Sequence, residues 1–290
     1  DGITSFISAL CLVSKNELDN FFNPRNYSLH KLVEVADFNI FRIQIEWSKI
    51  WKLISDDLVF VATNFNHDNI CIDAIDSLRQ TVTKLLQKTD LLMAYNFQIE
   101  FFRPFEIIFS QSLNRPDRSE LILTCLAHIV QNSKNINSGW IIIFNILKSG
   151  MKRKDQKLNN EILRIFQIIN DDFSLMNNNN INHEVFRGYI ECLCHMYLDE
   201  NLKKLAFDTI IKLITKIFNN KPNEKFINLN NGNNNNNDGH FDEGKNINLI
   251  ASSNEKRFEF LKIFFYGFDD LLRINVIEHL NLLFEVISYN

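Results

Sequence analysis

The stretch YSLHKLVEVADFNIFRIQIEWSKIWKLISDDL, Tyr27 to Leu58, decides the fold, because it sets two of the chain's three tryptophans inside the longest unbroken helical pattern of the sequence. Leu29, Leu32, Val33 and Ala36 recur at the three-and-four spacing of one helix face, with Ser28 placed as N-cap. Ile43, Trp47, Ile50, Trp51, Ile54, Leu58 and Val61 continue that spacing over about five turns. A stripe so wide packs on both sides, so at least one of Trp47 and Trp51 is expected to lie buried between layers. Asn39 and Arg42 fall at the joint of the two helices. There a polar side chain satisfies backbone groups freed by a bend, or the arginine pairs with a carboxylate of a neighbouring helix.

The flanking segments repeat the theme. Ile3 to Val13 reads as a short helix, and Ser14 followed by Glu17 has the capping-box spacing that would open a second one. After Asn69, one face carries Cys71, Ile75, Leu78, Val82 and Leu85, and the outer face carries Asp73, Asp76 and Arg79. A further helix from about Gln98 turns Phe101, Phe105 and Ile108 inward, with Pro104 fitting only as a first-turn proline or a kink. NRPDRSEL restarts a helix with Pro116 near its first turn and Ile122, Cys125, Ile129 and Val130 buried. Later faces are Ile162, Phe166, Ile169 and Phe173, then Val185, Tyr189, Cys192 and Met196, then Ala206, Ile210, Leu213 and Ile217. Starts near Asn69, Pro116, Gln156 and Asn201 recur every 40 to 47 residues or so, the period of HEAT and armadillo hairpins. The expected fold is all-α, a right-handed α-solenoid of such hairpins.

Composition agrees. Only 8 glycines and 4 prolines in 290 residues leave too few turn residues for many short strands. A net charge of -4 and a pI near 6.0 supply no basic field of the kind nucleic acids require. Five cysteines, an odd number spread through helical patterns, read as reduced, buried thiols. No segment reaches the roughly 20 apolar residues of a membrane span. The start at Asp1 rather than Met points to a piece of a longer protein. Residues 219–253, rich in Asn and Gly, form an expected disordered insertion, and Asn177 to Asn180 a smaller one. The domain reading is therefore a solenoid over 1–218, the insertion over 219–253 and a terminal helical pair over 254–290.

Chemistry-bearing constellations are weak. Cys192, Cys194 and His195, with His183 nearby, point in different directions on a helix and lack a second cysteine pair for a tetrahedral zinc site. His128 beside Cys125 reads as a capped core histidine. Asp56, Asp57, Asp73, Asp76, Asp171 and Asp172 read as solvated charges. There is no phosphate-binding glycine loop, no G-x-S-x-G and no H-E-x-x-H, so no catalytic residue, cofactor or metal is assigned. Met151 to Lys157, MKRKDQK, is the one basic cluster; Lys152, Arg153 and Lys154 are its candidates for contact with anionic lipid or an acidic partner, against the default of a solvated loop.

A family resemblance rests on the quoted stretch and three later ones. KLVEVA followed by Asn39, Arg42, Trp47 and Trp51, then AIDSLRQ (Ala74 to Gln80), NFQIEFFRPFE (Asn96 to Glu106) and NINSGW (Asn135 to Trp140) resemble, in order, the first helical region downstream of the exchange domain in the large brefeldin A-inhibited Arf guanine nucleotide exchange factors. The resemblance is good from about Tyr27 to Leu147, weaker to Phe218, and faint in the last thirty or so residues. Those have the shape of the next downstream region without its opening Trp.

In that family exchange belongs to a separate domain whose FRLPGE-like glutamate loop does not occur in these residues. The resemblance therefore implies a non-catalytic regulatory region, peripheral on Golgi or trans-Golgi membranes from the cytoplasmic side. Its implied partners are a GTP-loaded Arf-family small GTPase and other domains of the parent protein. The residues implied for partner contact are Asn39, Arg42, Trp47, Asp76, Arg79 and Arg103, with core or interhelix struts the alternative for Trp47 and Arg103. A generic α-solenoid adaptor or transport receptor would share the periodicity without these ordered motifs.

Overall fold

The computed structural model describes residues 2–19, 24–40, 42, 44–65, 67–87, 97–132, 135–171, 183–197, 199 and 201–210. The chain divides into two compact units, Asp1–Met176 and Asn177–Asn290. The insertion expected over 219–253, the terminal pair over 254–290, and Phe173, Leu213 and Ile217 lie outside the described residues.

The first unit holds eight helices among its described residues: α1 (Gly2–Leu18), α2 (Tyr27–Asn39), α3 (Gln44–Asn64), α4 (Asp68–Leu86), α5 (Phe97–Gln111), α6 (Pro116–Asn132), α7 (Gly139–Lys152) and α8 (Gln156–Asp171). Each odd helix packs on the even helix that follows it. The odd helices also stack on one another in order, α1 on α3, α3 on α5 and α5 on α7, and the even helices do the same from α2 to α8. This is a two-layer solenoid of helical hairpins, all-α as the periodicity predicts. Its core lies between the layers, where Trp47, Ile50, Trp51, Ile54, Leu58 and Val61 of α3 meet Ile75, Leu78, Val82 and Leu85 of α4, all at most 2% exposed. In α7, whose buried stripe faces α5 and α8, Trp140, Ile142, Ile143, Phe144, Ile146 and Leu147 are all buried. The second unit contributes α9 (His183–Tyr197), with Val185, Tyr189, Cys192 and Met196 buried, and a helical stretch over 203–210 with Ala206 and Ile210 buried.

Two local expectations are corrected. Ser14 does not open a helix; α1 runs unbroken through it, and its hydroxyl is buried on the α1 face that also carries Ile7, Cys11 and Leu18. Glu17 caps the next helix instead, its Oε2 accepting the Ser28 backbone N–H at 3.0 Å. Ser28 is accordingly inside α2, whose N-cap is Asn26. Of the two placements open to Pro104, first turn or kink, the first is excluded, because it lies in the interior of α5. Having no N–H, it leaves the carbonyl four residues back, Glu100 O, without its helical donor. The indole Nε1–H of Trp51 occupies that place at 3.1 Å. The paired tryptophans thus tie α3 to α5 at the one turn of α5 where the backbone ladder is interrupted.

Candidate interaction surface

The described motif residues at 97–106 and 135–140 meet in space. Gln98, 1% exposed on α5, donates its Nε2–H to Asn135 O at 2.7 Å and accepts the backbone N–H groups of Asn137 (2.7 Å) and Gly139 (3.3 Å) at its Oε1. One buried amide therefore fixes the loop entering α7. Asn135 returns the contact, donating to Leu86 O at the end of α4 at 3.1 Å. Gly139 is required here, since a Cβ would stand 2.5 Å from the ring of Phe102.

Two arginines close other helix ends, where the last carbonyls have no intrahelical donor. Arg118 of α6, 8% exposed, donates to Ala62 O and Phe65 O, each at 2.8 Å, at the end of α3. Arg153, after α7, donates to Ser119 Oγ at 2.7 Å and to Phe109 O of α5 at 2.5 Å, with its guanidinium 4.0 Å from the Phe109 ring centroid. Gln98 and Arg118 were not singled out from the sequence. A signal was present: each is a polar residue on a buried stripe, Gln98 ahead of Phe101, Phe102 and Phe105, Arg118 ahead of Ile122 and Cys125.

The residues assigned to partner contact divide accordingly. Asn39 and Trp47 are corrected, being 4% and 0% exposed. Asn39 donates to Val35 O at 2.8 Å and accepts Arg42 Nε–H at 2.5 Å, which ties off the α2–α3 joint; Trp47 stacks on Trp51 with ring centroids 6.4 Å apart. Arg153 is corrected as well, from lipid contact to helix cap. Arg42, exposed in the joint, reaches Glu46 at the start of the adjoining α3 at 3.3 Å. Asp76 and Arg79 pair at 2.6 Å on α4, and Arg79 Nη1 lies 3.3 Å from His128 Nδ1 on α6. His128 is therefore an exposed rung between stacked even helices, not a core histidine. Arg103 is exposed on α5, and Lys152 and Lys154 are exposed at the α7–α8 turn. The surface residues thus do not converge: Asp76 and Arg79 sit in the even layer, Arg42 and Arg103 in the odd one. A groove of about 560 Å³ opens between the starts of α4 and α6, lined by Ile72, Ile75 and Leu121 with Asp68, Arg115 and Asp117 at its edge.

Among the carboxylates, Asp57 is corrected from solvated to buried at 2% exposure. Burial pushes its carboxyl above the usual range, and Lys15, 3.4 Å away, only partly offsets this. A raised carboxyl binds its proton more readily in the folded chain than in the unfolded one. Its contribution to stability therefore grows as pH falls through the folded value, and stops growing below the unfolded value. Asp57→Asn removes that contribution. In urea titrations across the acid range, wild-type stability minus that of Asp57→Asn should rise as pH falls; a flat difference would place Asp57 in water.

Cys192 and Cys194 are buried in α9, and burial raises the Cys194 thiol. Among the described residues no group of three or more His, Cys, Asp or Glu is placed to hold a metal ion. No described helix is long and apolar enough to cross a membrane.

Compared with known proteins, residues 84–171 match the family described as Mon2/Sec7/BIG1-like, HDS. The chain is 42% identical over 147 residues to brefeldin A-inhibited guanine nucleotide-exchange protein 1 of Arabidopsis thaliana, covering 50% of this chain and 8% of that protein. It is 35% identical over 214 residues to protein 4 of the same plant, covering 72% and 12%. To protein 1 of Homo sapiens it is 37% identical over 159 residues, covering 54% and 8%. The chain thus spans about a tenth of the length of these relatives. Gln98, Arg118, Asn135, Gly139 and Arg153 all fall within 84–171. This stretch, which the buried amide and the arginine caps bind to its neighbours, matches the Sec7-like HDS family, and the chain is homologous to the brefeldin A-inhibited guanine nucleotide-exchange proteins.

Proposed function

We propose that this chain is a non-catalytic region of a large Arf guanine nucleotide exchange factor, lying downstream of the exchange domain. It recruits the parent protein to trans-Golgi membranes by binding a GTP-loaded Arf-family GTPase, and it tunes the exchange domain. The observation that carries the reading is the homology to exchange proteins over a segment whose side chains build a rigid stack, braced at its helix ends by Gln98, Arg118 and Arg153. Stacked helices of this kind offer extended binding faces. The surface charges of Arg42, the Asp76–Arg79 pair and Arg103 are the contacts available on the N-terminal layers, and Lys152 and Lys154 those available to anionic lipid.

A rigid face distinguishes the two nucleotide states of a GTPase through its ordered switch segments. A tenfold preference needs only about 1.4 kcal/mol. In pull-downs on liposomes bearing lipidated Arf-family GTPases, recovery of the chain should be about tenfold higher with the GTP form. It should fall when Arg79 and Arg103 are both replaced by Glu. Equal recovery with both nucleotides sinks the GTPase reading. Loss only on neutralising Lys152 and Lys154 assigns the binding to lipid charge.

A further inference from the structure

An ion pair with one buried partner joins the first helix to the stack. Asp57, 2% exposed on α3, has no hydrogen-bond partner at either carboxylate oxygen. The Lys15 ammonium stands 3.4 Å from Oδ1, an ion-pair contact without the alignment of a hydrogen bond. The lysine is 38% exposed, and its ammonium also lies 4.6 Å from the ring centroid of Phe60 on the same helix. α1 buries three apolar side chains, Ile7, Cys11 and Leu18, where α5 buries six. Residues 2–14 carry no charge, so on this face Lys15 alone supplies a cation to α3.

We infer that α1 is a charge-latched helix: Lys15 holds it on α3 by compensating the buried Asp57 carboxylate, so neutralising Lys15 alone releases α1 while neutralising both residues leaves it docked. The physical reason is the asymmetry of buried pairs. Removing one partner strands a charge in a poor solvent, whereas removing both costs little. The stranded carboxylate is on α3, inside the stack, and the cheapest way to hydrate it is to lift the end helix. α2 follows in part, because Glu17 of α1 caps its N-terminus.

Cys11 is a built-in reporter. It is 9% exposed on the docked face, its Sγ lies 4.0 Å from Leu53 O, and burial, helped by the Asp57 charge, pushes its thiol up to about 12. Both factors slow its reaction with electrophiles until α1 lifts.

The test uses the whole chain, with maleimide labelling of Cys11 read by peptide mass and amide exchange over 2–18 and 97–171. Lys15→Gln should raise Cys11 labelling and 2–18 exchange by about tenfold or more, with protection over 97–171 unchanged. Lys15→Arg should match wild type, and Lys15→Gln with Asp57→Asn should return to within about threefold of it. The latch is overturned if Lys15→Gln leaves α1 protected. It is equally overturned if the double variant is as open as the single one, since the lysine stem over Phe60 would then be what matters. Loss of protection throughout 97–171 would also overturn it, as global unfolding.

Discussion

Trp51→Ala is expected to cost about 3 to 5 kcal/mol, the range of a fully buried aromatic truncation, and to sit at the upper end of it. Two separate losses combine. The ring is 2% exposed, stacked on Trp47 and edge-on to Phe101 at 5.8 Å, so a large cavity opens between α3 and α5. The Nε1–H also leaves Glu100 O, which Pro104 has already deprived of its helical donor. Trp51→Phe separates the two, keeping most of the ring and losing only the donor, for about 1 to 3 kcal/mol. Pro104→Ala restores an N–H four residues after Glu100, so in that background the cost of Trp51→Phe should shrink by about 1 kcal/mol. Urea unfolding followed by circular dichroism measures all four. Equal costs for Trp51→Phe in both backgrounds would show that the indole donor is not a substitute for the proline's missing one.

The same neighbourhood explains why the fold was legible and the site only partly so. Periodicity reports the angle at which a side chain leaves its helix. Leu29, Leu32, Ala36, Trp47, Trp51, Ile75 and Val82 are buried where the three-and-four spacing puts them, and α4, α6 and α8 begin close to the repeat starts read from the sequence. It does not report how many neighbours an angle will meet. Trp47 and Asn39 were assigned to a partner because they belong to a distinctive motif, yet the motif is distinctive because it builds the joint. Polar residues were misread for a related reason. Ser14 and Glu17 have the spacing of a box that closes on itself, but Glu17 caps the following helix across a loop. Arg153 sits in a run of cations and serves a carbonyl 44 residues earlier. Partners so distant along the chain leave no trace in local spacing.

Arg118→Met is the second large effect, expected at about 2 to 4 kcal/mol, because hydrogen bonds from a charged donor contribute about 1.5 to 3 kcal/mol each and their loss takes the charged donor from the buried Ala62 O while leaving Phe65 O only the weak Cys71 Sγ donor at 3.2 Å. The acceptors are Ala62 O and Phe65 O at 2.8 Å, with Thr63 O further off at 3.4 Å. They close the end of α3, the helix that carries both tryptophans, so the cation also faces the negative pole of that helix. Methionine keeps the apolar stem and removes only the fork, which isolates capping from packing. Lysine keeps the charge but not the fork, and should recover about half of the loss. Arg115, on the same turn, is the control. It is 44% exposed and meets Asp68 at 3.7 Å, so Arg115→Met should cost less than about 0.5 kcal/mol. Amide exchange locates the effect: with Arg118→Met the last turn of α3 should open before the rest of the first unit. Equal costs for the two arginines would mean that the α3 carbonyls are served by water, and that Arg118 is a surface charge folded against the stack.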